Sequence, residues 1–292
     1  MPELRIGLPK GSLQEATIAI FEKAGFRISV DERQYKPHID DDELWSVLLR
    51  AQEMPSYVAD GVLDCGLTGL DWIKERGVEG RVVEVADLIY AKRGMRPYKW
   101  VLCVAEDSPY QSVEDLQGKR IATELTHAAE QYLQSHGVTA QIEYSWGATE
   151  AKCPSLVDAI IEGTETGSTI RANNLRIIDV LFESTTKLIA NQEAWADPWK
   201  RQKIDNIALL LRGALAAEEK VGLKMNVQQS NLDAVIGQLP ALKNPTVSPL
   251  AGGDWVAVET IVDKRLVRDL ILRLKGAGAQ GIIEYPLNKI IL

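Results

Sequence analysis

The sequence predicts an α/β protein: two lobes of alternating strands and helices, followed by a small C-terminal module of order βαββαβ. Three observations carry that expectation. Over the first two thirds of the chain, short apolar runs alternate with glycine-containing loops and with stretches of helical periodicity, the texture of an α/β sheet. From Lys220 the texture changes, because Val221-Gly-Leu-Lys-Met-Asn-Val227 alternates as a half-buried strand does. The 292 residues exceed one typical domain, so two or three are expected. With 46% hydrophobic and 25% charged residues, the composition suits a soluble protein with a large core.

Residues 4–8 read as a strand and Pro9-Lys10-Gly11 as a tight loop. A helix follows, with Leu13, Ala16, Thr17, Ile20, Phe21 and Ala24 on one face. Ser12 with Glu15 makes a capping box, and Gly25 closes the helix. The first N–H groups of a helix lack internal partners. This loop is therefore either an anion site with Lys10 beside it or an ordinary βα loop with a solvated lysine. Residues 44–50 read as a strand, 56–60 as a helix and 62–66 as a strand; Leu67-Thr68-Gly69 opens a helix over 70–75. Arg50 stands at a strand end, as a phosphate or adenine contact or as a surface arginine. Lys92-Arg-Gly-Met-Arg96-Pro-Tyr-Lys99 is the most basic cluster and precedes a strand over 100–105. Ser112-Val-Glu-Asp115 reads as a capped turn, 118–123 as a strand, and 127–135 as a helix ended by Gly137. Thr123 and Thr126 fall at a strand–helix junction, where open α/β sheets bind ligands.

Residues 155–173 are the most informative stretch. Leu156, Val157, Ala159, Ile160 and Ile161, broken only by Asp158, read as a buried strand. Gly163-Thr-Glu-Thr-Gly-Ser-Thr169 is a loop, and residues 170–175 resume as a helix. Glycines let backbone come close to a ligand, and a helix start favours a phosphate. Thr166, Ser168 and Thr169 add hydroxyl donors. Carboxylates beside a phosphate repel it unless they hold ribose hydroxyls or a bridging Mg²⁺. Glu162 and Glu165 therefore point to a sugar phosphate; the competing reading is a plain Gly/Thr-rich turn. The lysine of a P-loop is absent. Residues 177–182 and 186–190 read as strands, the second returning the chain to the first lobe, and 195–210 as a helix with Pro198 near its start.

In the C-terminal module, Leu232, Val235, Ile236 and Leu239 mark a helix. Strands over 246–250 and 255–262 are joined by Ala251-Gly-Gly-Asp254, a hairpin signal. Residues 266–274 are helical and 281–291 form the last strand, a ferredoxin-like order.

A net charge of −8 argues against a nucleic-acid or anionic-membrane surface. It leaves anionic substrates open, because local cations and helix ends dominate a site. Cys65, Cys103 and Cys153 form no CxxC, so neither a disulfide framework nor a zinc site is expected and a reducing compartment fits. His38, His127 and His136 lack metal-ligand spacing. No basic-then-apolar leader and no apolar run near the ~20 residues of a membrane helix stands out, so a cytoplasmic location is expected. No Ser/His/Asp or Cys/His nucleophile constellation is evident.

Asp158-Ala-Ile-Ile-Glu162 followed by Glu165-Thr-Gly-Ser-Thr-Ile-Arg-Ala-Asn173 resembles the signature of the ATP phosphoribosyltransferases, the first enzymes of histidine biosynthesis. The resemblance extends to Pro9-Lys10-Gly11 and to the run from Arg50 through Pro55 to Gly66-Leu-Thr-Gly69. It continues through Pro245-Thr-Val-Ser-Pro249 and Tyr285-Pro-Leu-Asn-Lys289. It implies a two-lobed periplasmic-binding-protein-like (type II) catalytic unit. Residues 1–92, completed by 188–213, would form lobe I and 93–187 lobe II. An ACT-like regulatory domain would span 216–292. The implied reaction moves phosphoribosyl from 5-phosphoribosyl-1-pyrophosphate (PRPP) to N1 of the ATP adenine and releases pyrophosphate, with Mg²⁺ as cofactor. Histidine would inhibit, and the chain would assemble as a hexamer or dimer.

By the same resemblance, Glu162, Gly163, Thr164, Glu165, Thr166, Gly167, Ser168 and Thr169 bind PRPP. Lys10, Gly11, Ser12, Arg50, Thr68 and Gly69 bind ATP; Glu162, Glu165 and Lys10 are catalytic, and Glu165 holds the metal. Leu242, Asn244, Thr246 and Gly281 bind histidine. Many members carry Arg where this chain has Ser12. Competing readings are a prephenate-dehydratase-like enzyme, whose Thr-Arg-Phe motif is absent, and a non-enzymatic two-lobed binding protein.

Overall fold

Strand β1 (Leu4–Lys10) buries Leu4, Ile6 and Leu8 because it runs through the middle of a sheet, paired on both sides. The computed structural model describes residues 2–31, 35–90, 97–240, 244–251 and 253–291. They fall into two compact units, Met1–Glu22 with Phe26–Ala208, and Lys23–Gly25 with Leu209–Leu292.

In the first unit, β1 is followed by α1 (Gln14–Ala24), a small ribbon of β2 (Ile28–Ser29) with β3 (His38–Ile39), β4 (Leu44–Arg50), α2 (Met54–Ala59), β5 (Cys65–Gly69), α3 (Leu70–Glu75) and β6 (Val82–Leu88). A second set follows: β7 (Tyr98–Ala105), β8 (Arg120–Thr123), α4 (Thr126–Ser135), β9 (Gln141–Tyr144), β10 (Ala159–Thr164), α5 (Ser168–Ala172) and β11 (Leu175–Ser184). Then β12 (Thr186–Asn191) returns to the first sheet, whose order is β4-β1-β5-β12-β6; the second sheet runs β11-β7-β10-β8-β9. β12 is antiparallel to both neighbours, as a returning strand must be. We call the two sheets with their helices lobe I and lobe II. Lobe II is cored by Leu102, Leu116, Ile121, Leu125 and Leu133, and lobe I around Met54, Val58, Ile73 and Ile189.

Several boundaries differ from those the sequence predicts. β1 runs through Pro9 to Lys10, so the predicted loop is the strand's end; β5 pairs only at Ile6 and Gly7, so Pro9's missing N–H leaves no gap on that side. Leu67-Thr68-Gly69 belongs to β5, whose last residue Gly69 is the N-cap of α3 over the expected 70–75, and the helix after β4 begins at Met54. β10 begins at Ala159 and carries Glu162, Gly163 and Thr164 with it, in antiparallel pairing to β7. The short α5 stops at Ala172, and Leu175 opens a strand instead of closing a helix. Ser112 and Asp115 do form a capping box. β6 has no counterpart in the sequence reading, because its charged residues interrupt the apolar pattern.

A pair of helices, α6 (Gln192–Ala196) and α7 (Pro198–Glu218), replaces the single one expected over 195–210. The break falls at Asp197, since a residue before proline disfavours the helical region. The second unit continues with β13 (Lys220–Gln228), α8 (Leu232–Ile236), β14 (Thr246–Pro249), β15 (Trp255–Asp263), α9 (Val267–Gly276) and β16 (Gln280–Pro286). Its sheet order, β14-β15-β13-β16, is antiparallel throughout and is that of a ferredoxin-like βαββαβ domain. Val221, Leu223, Met225 and Val227 face Val235, Leu270 and Leu274, which buries one side of the sheet under both helices. The fold is thus a two-lobed periplasmic-binding-protein-like α/β unit with a ferredoxin-like C-terminal unit. Among the described residues no helix is long and apolar enough to cross a membrane. The basic cluster Lys92-Arg-Gly-Met-Arg96, Leu242 and the Gly252 of the hairpin lie outside the described residues.

Candidate active site

A cleft of ≈ 350 Å³ lies in the first unit, lined from both lobes, a size within the range of small-ligand sites. Lobe I contributes Lys10, Ser12, Arg50, Gln52, Gly69 and Asp71. Lobe II contributes Tyr98, Trp100, Glu124, Glu162 and Glu165, and the returning crossover adds Ser184, Thr185 and Thr186. The two cations are neighbours by register: Lys10 and Arg50 are Cα partners at the ends of parallel β1 and β4. Lys10 Nζ stands 3.7 Å from the Tyr35 ring centroid. Gly11, at φ +104°, sits where an added Cβ would be 2.9 Å from Arg50 Nη1, so the glycine lets the guanidinium lie over the loop.

The acids are held differently. Asp71, in the first turn of α3, is buried and accepts from Trp100 Nε1 at 3.0 Å and from the Trp72 N–H at 2.9 Å. Its own N–H donates to Ser184 Oγ at 3.1 Å. Burial raises the Asp71 carboxyl above its ordinary 3.8, against the pull of these hydrogen bonds. Burial likewise raises Glu124 and Glu162, and neighbouring carboxylates add to it: Asp71 and Glu75 for Glu124, Glu150 and Glu124 for Glu162. Four acids therefore face one cleft that also holds two cations.

The loop after β10 is narrower than the sequence suggests. The Gly163 N–H donates to Glu162 Oε1 at 3.2 Å, and the residue packs against Tyr98 so closely that a Cβ there would collide with the ring. Gly163 therefore fits the strand and the aromatic wall, and the loop proper runs over residues 165–167 into α5. Gly167 caps α5 from the left-handed region at φ +71°. Its N–H donates to Thr164 Oγ1 at 2.8 Å, and Thr166 Oγ1 donates to Ser168 Oγ at 3.0 Å. Arg171 Nη2 donates to the Thr166 carbonyl at 3.2 Å, fixing the bend from the far side. Thr166, Ser168 and Thr169 are exposed.

Of the residues named from sequence, Lys10, Ser12, Arg50, Gly69, Glu162 and Glu165 line this cleft together. Thr68 does not: it is fully buried and donates to the Ala51 carbonyl at 2.8 Å. In the second unit Asn244 lies two residues before β14, Thr246 opens that strand, and Gly281 is at the start of β16. Sequence reasoning missed Gln52, Asp71, Tyr98, Trp100, Glu124 and Ser184-Thr185-Thr186. The hydroxyl run ahead of the returning strand, and Glu124 directly after the junction residue Thr123, were signals available in the sequence. Cys65, Cys103 and Cys153 are buried and free, and burial raises all three thiols, Cys103 to about 12, which disqualifies them as nucleophiles.

The sequence model of the family described as ATP phosphoribosyltransferase matches residues 50–213, and that described as HisG, C-terminal domain, matches residues 217–289. A relative named ATP phosphoribosyltransferase from Desulforudis audaxviator is 62% identical over 289 residues, 99% of this chain and 99% of its own. One of the same name from Chlorobium chlorochromatii is 58% identical over 288 residues, 99% of this chain and 97% of its own. The solved ATP phosphoribosyl transferase (HisG:HisZ) complex from Thermotoga maritima aligns with a TM-score of 0.60 at 24% identity. The alignment covers 72% of this chain and 96% of that one, a likeness of fold. Matched along both its units, the chain belongs to the ATP phosphoribosyltransferase family of histidine biosynthesis, in the long form with a C-terminal domain.

Proposed function

We propose that the cleft of the first unit is where phosphoribosyl passes from PRPP to N1 of the ATP adenine. The observation that supports this is the division of charge across it: Lys10 and Arg50 at strand ends of lobe I, and Glu162 and Glu165 beside a hydroxyl-lined helix start of lobe II. The N1 lone pair attacks C1 of the ribose while the C1–O bond to pyrophosphate breaks. Positive charge gathers on the sugar and negative charge on the leaving group, so the enzyme's task is placement and electrostatics. Glu162 and Glu165 hold the ribose hydroxyls and face the growing positive charge. Residues 165–169 hold the 5-phosphate, and Lys10 and Arg50 receive the pyrophosphate and steady the triphosphate, with Gly11, Ser12 and Gly69 forming the nucleotide side.

Among the described residues no group of three or more His, Cys, Asp or Glu is placed to hold a metal. Glu162 and Glu165 both line the cleft, and such a pair suits Mg²⁺, because this ion binds through one or two carboxylates plus substrate phosphates and waters. Glu165, with Glu162, would hold it, and when bound it neutralises charge on the leaving phosphates. We further infer that the second unit binds histidine as inhibitor through Asn244, Thr246 and Gly281. Family membership supports a homo-oligomer, hexamer or dimer, in the cytoplasm, with residues 1–92 plus 188–213, 93–187 and 216–292 as functional domains.

Two variants test the cleft. Gly167→Leu forces a side chain into the left-handed region, about 1–2 kcal/mol of local strain at the cradle. It is expected to raise the KM for PRPP and leave that for ATP nearly unchanged. Lys10→Ala removes a charge-assisted contact of about 1.5–3 kcal/mol, so kcat/KM falls by roughly 10- to 100-fold. Normal PRPP affinity in the first variant rejects the cradle, and normal turnover in the second rejects the role of Lys10.

A further inference from the structure

One short helix of lobe I is tied to lobe II along its length. Trp72 of α3 packs on the lobe II core around Trp100 and Leu102, and Asp71 accepts from Trp100. Lys74 stands 5.6 Å from the Phe182 ring centroid. The last residue of α3, Glu75, reaches the start of α4: its Oε1 accepts from Thr126 Oγ1 at 3.2 Å and its Oε2 from the Ala128 N–H at 3.1 Å. α4 has no cap of its own. Its N-cap residue is Leu125, which makes no side-chain cap hydrogen bond, and leucine is among the poorest residues for that position. Ala128 is the third residue of the helix, where an N-cap side chain ordinarily accepts. The acceptor missing from α4 is thus supplied by the other lobe. Gly77, at φ +60°, brings the chain against the same helix, since an added Cβ would lie 3.1 Å from His127 Nε2.

We propose that Glu75 is a positioning residue for the transfer reaction. Its carboxylate caps α4 from lobe I and so holds lobe II, with Glu124, Glu162 and Glu165, facing Lys10 and Arg50. The inference rests on the reading of the cleft given above. Glu75 is not among the cleft-lining residues, and Glu124 precedes the capped helix by two residues, so Glu75 acts on the site through α4, and as a charge only through its neighbour Glu124. A site divided between two lobes binds only when both halves meet, and apparent affinity scales with the fraction of molecules in that state. Loss of an N-cap acceptor shifts such an equilibrium by roughly 2- to 30-fold.

The test is steady-state kinetics and hydrogen exchange on the full chain. Glu75→Ala is expected to raise the KM for ATP and for PRPP, each measured with the other substrate held well below saturation, by one common factor, roughly tenfold, with kcat at saturation of both kept within about twofold, because saturating substrates themselves select the joined state. The α4 amides exchange faster in the same variant. Glu75→Gln keeps an amide oxygen as acceptor and recovers most of both effects; should the alanine variant not fold, a KM rise of roughly threefold in Glu75→Gln is the expected result. Asp115→Ala, which deletes the capping box of Val113–Leu116 inside lobe II, is the control. It lowers the Tm and leaves both KM values alone. Unchanged KM values in a folded Glu75→Ala (or in Glu75→Gln, if only that folds), or an equal KM rise in Asp115→Ala, overturns the proposal. Lys10→Ala separates the two readings. If it leaves turnover normal, the cleft is wrongly placed; if it impairs turnover while the Glu75 variants keep wild-type KM values, only the present inference falls.

Discussion

Asp71, Glu124 and Glu162 are carboxyl groups that folding carries out of water, and each is raised above its ordinary value by burial. A raised carboxyl binds its proton more tightly in the folded chain than in the unfolded one. Its contribution to stability is complete below the unfolded pKa, about 3.9 for aspartate, and is lost as pH rises through the folded pKa. Asp71→Asn removes one such group and keeps an acceptor oxygen for Trp100 Nε1. The Tm of the variant minus that of the native chain is therefore expected to grow from about pH 4 to about pH 7. A difference that stays flat or shrinks over a thermal series at these pH values refutes the assignment of Asp71. At this scale the sequence was readable where side-chain chemistry is local. Glu165 stands out because an acid inside a Gly/Thr loop needs a reason, and Lys10 because it ends a strand before a helix. Asp71 and Glu124 look like ordinary surface acids in the sequence. Only the packing of Trp100, 29 residues from Asp71, turns one of them into a buried, hydrogen-bonded group.

The helix α2 shows what decides placement between elements. Gly7 of β1 and Gly66 of β5 are register partners on adjacent parallel strands, and both abut Met54, the fully buried first residue of α2. The two missing side chains make a notch in the sheet, and Met54 fills it. A Cβ at Gly66 would stand 2.6 Å from Met54 Sδ. Gly66→Ala is thus expected to cost about 1–3 kcal/mol as overpacking. Met54→Ala should cost about 2–5 kcal/mol alone as a cavity. Their double variant should fall short of the sum, because the shorter side chain frees the space the new methyl needs. Urea unfolding of the three variants checks this, and strict additivity rules the notch out. The repeated βα texture and the C-terminal βαββαβ order were legible because each element carries its own period. The notch was not, since it depends on which strands become neighbours. The same holds for β10. Its pairing with β7 draws Glu162, Gly163 and Thr164 into a strand that local composition assigns to a loop.

At the scale of the whole chain, the proposed role of the second unit is to bind histidine. Its sheet carries a hollow of ≈ 380 Å³ lined by Asn226, Leu250, Trp255, Gln280 and Gly281, and Gly281 takes φ +56°. Asn244 and Thr246 lie on the segment leading into and opening β14, which pairs with the β15 that Trp255 opens. If histidine bound to this unit weakens substrate binding in the first by some factor, saturating substrates must weaken histidine binding by the same factor, because the coupling free energy belongs to both ligands at once. Couplings of this kind are about 1–3 kcal/mol, or roughly 5- to 150-fold. Isothermal titration of histidine with and without ATP and PRPP, set against the histidine-induced change in substrate affinity, should give the two factors equal. Thr246→Ala is expected to weaken histidine binding and inhibition together, with kcat/KM in the absence of histidine unchanged, since the residue belongs to the second unit and not to the cleft. Histidine affinity that saturating substrates leave unchanged means that histidine acts on turnover alone, abolished histidine binding means that it competes within the cleft, and unaltered inhibition in Thr246→Ala places its site elsewhere.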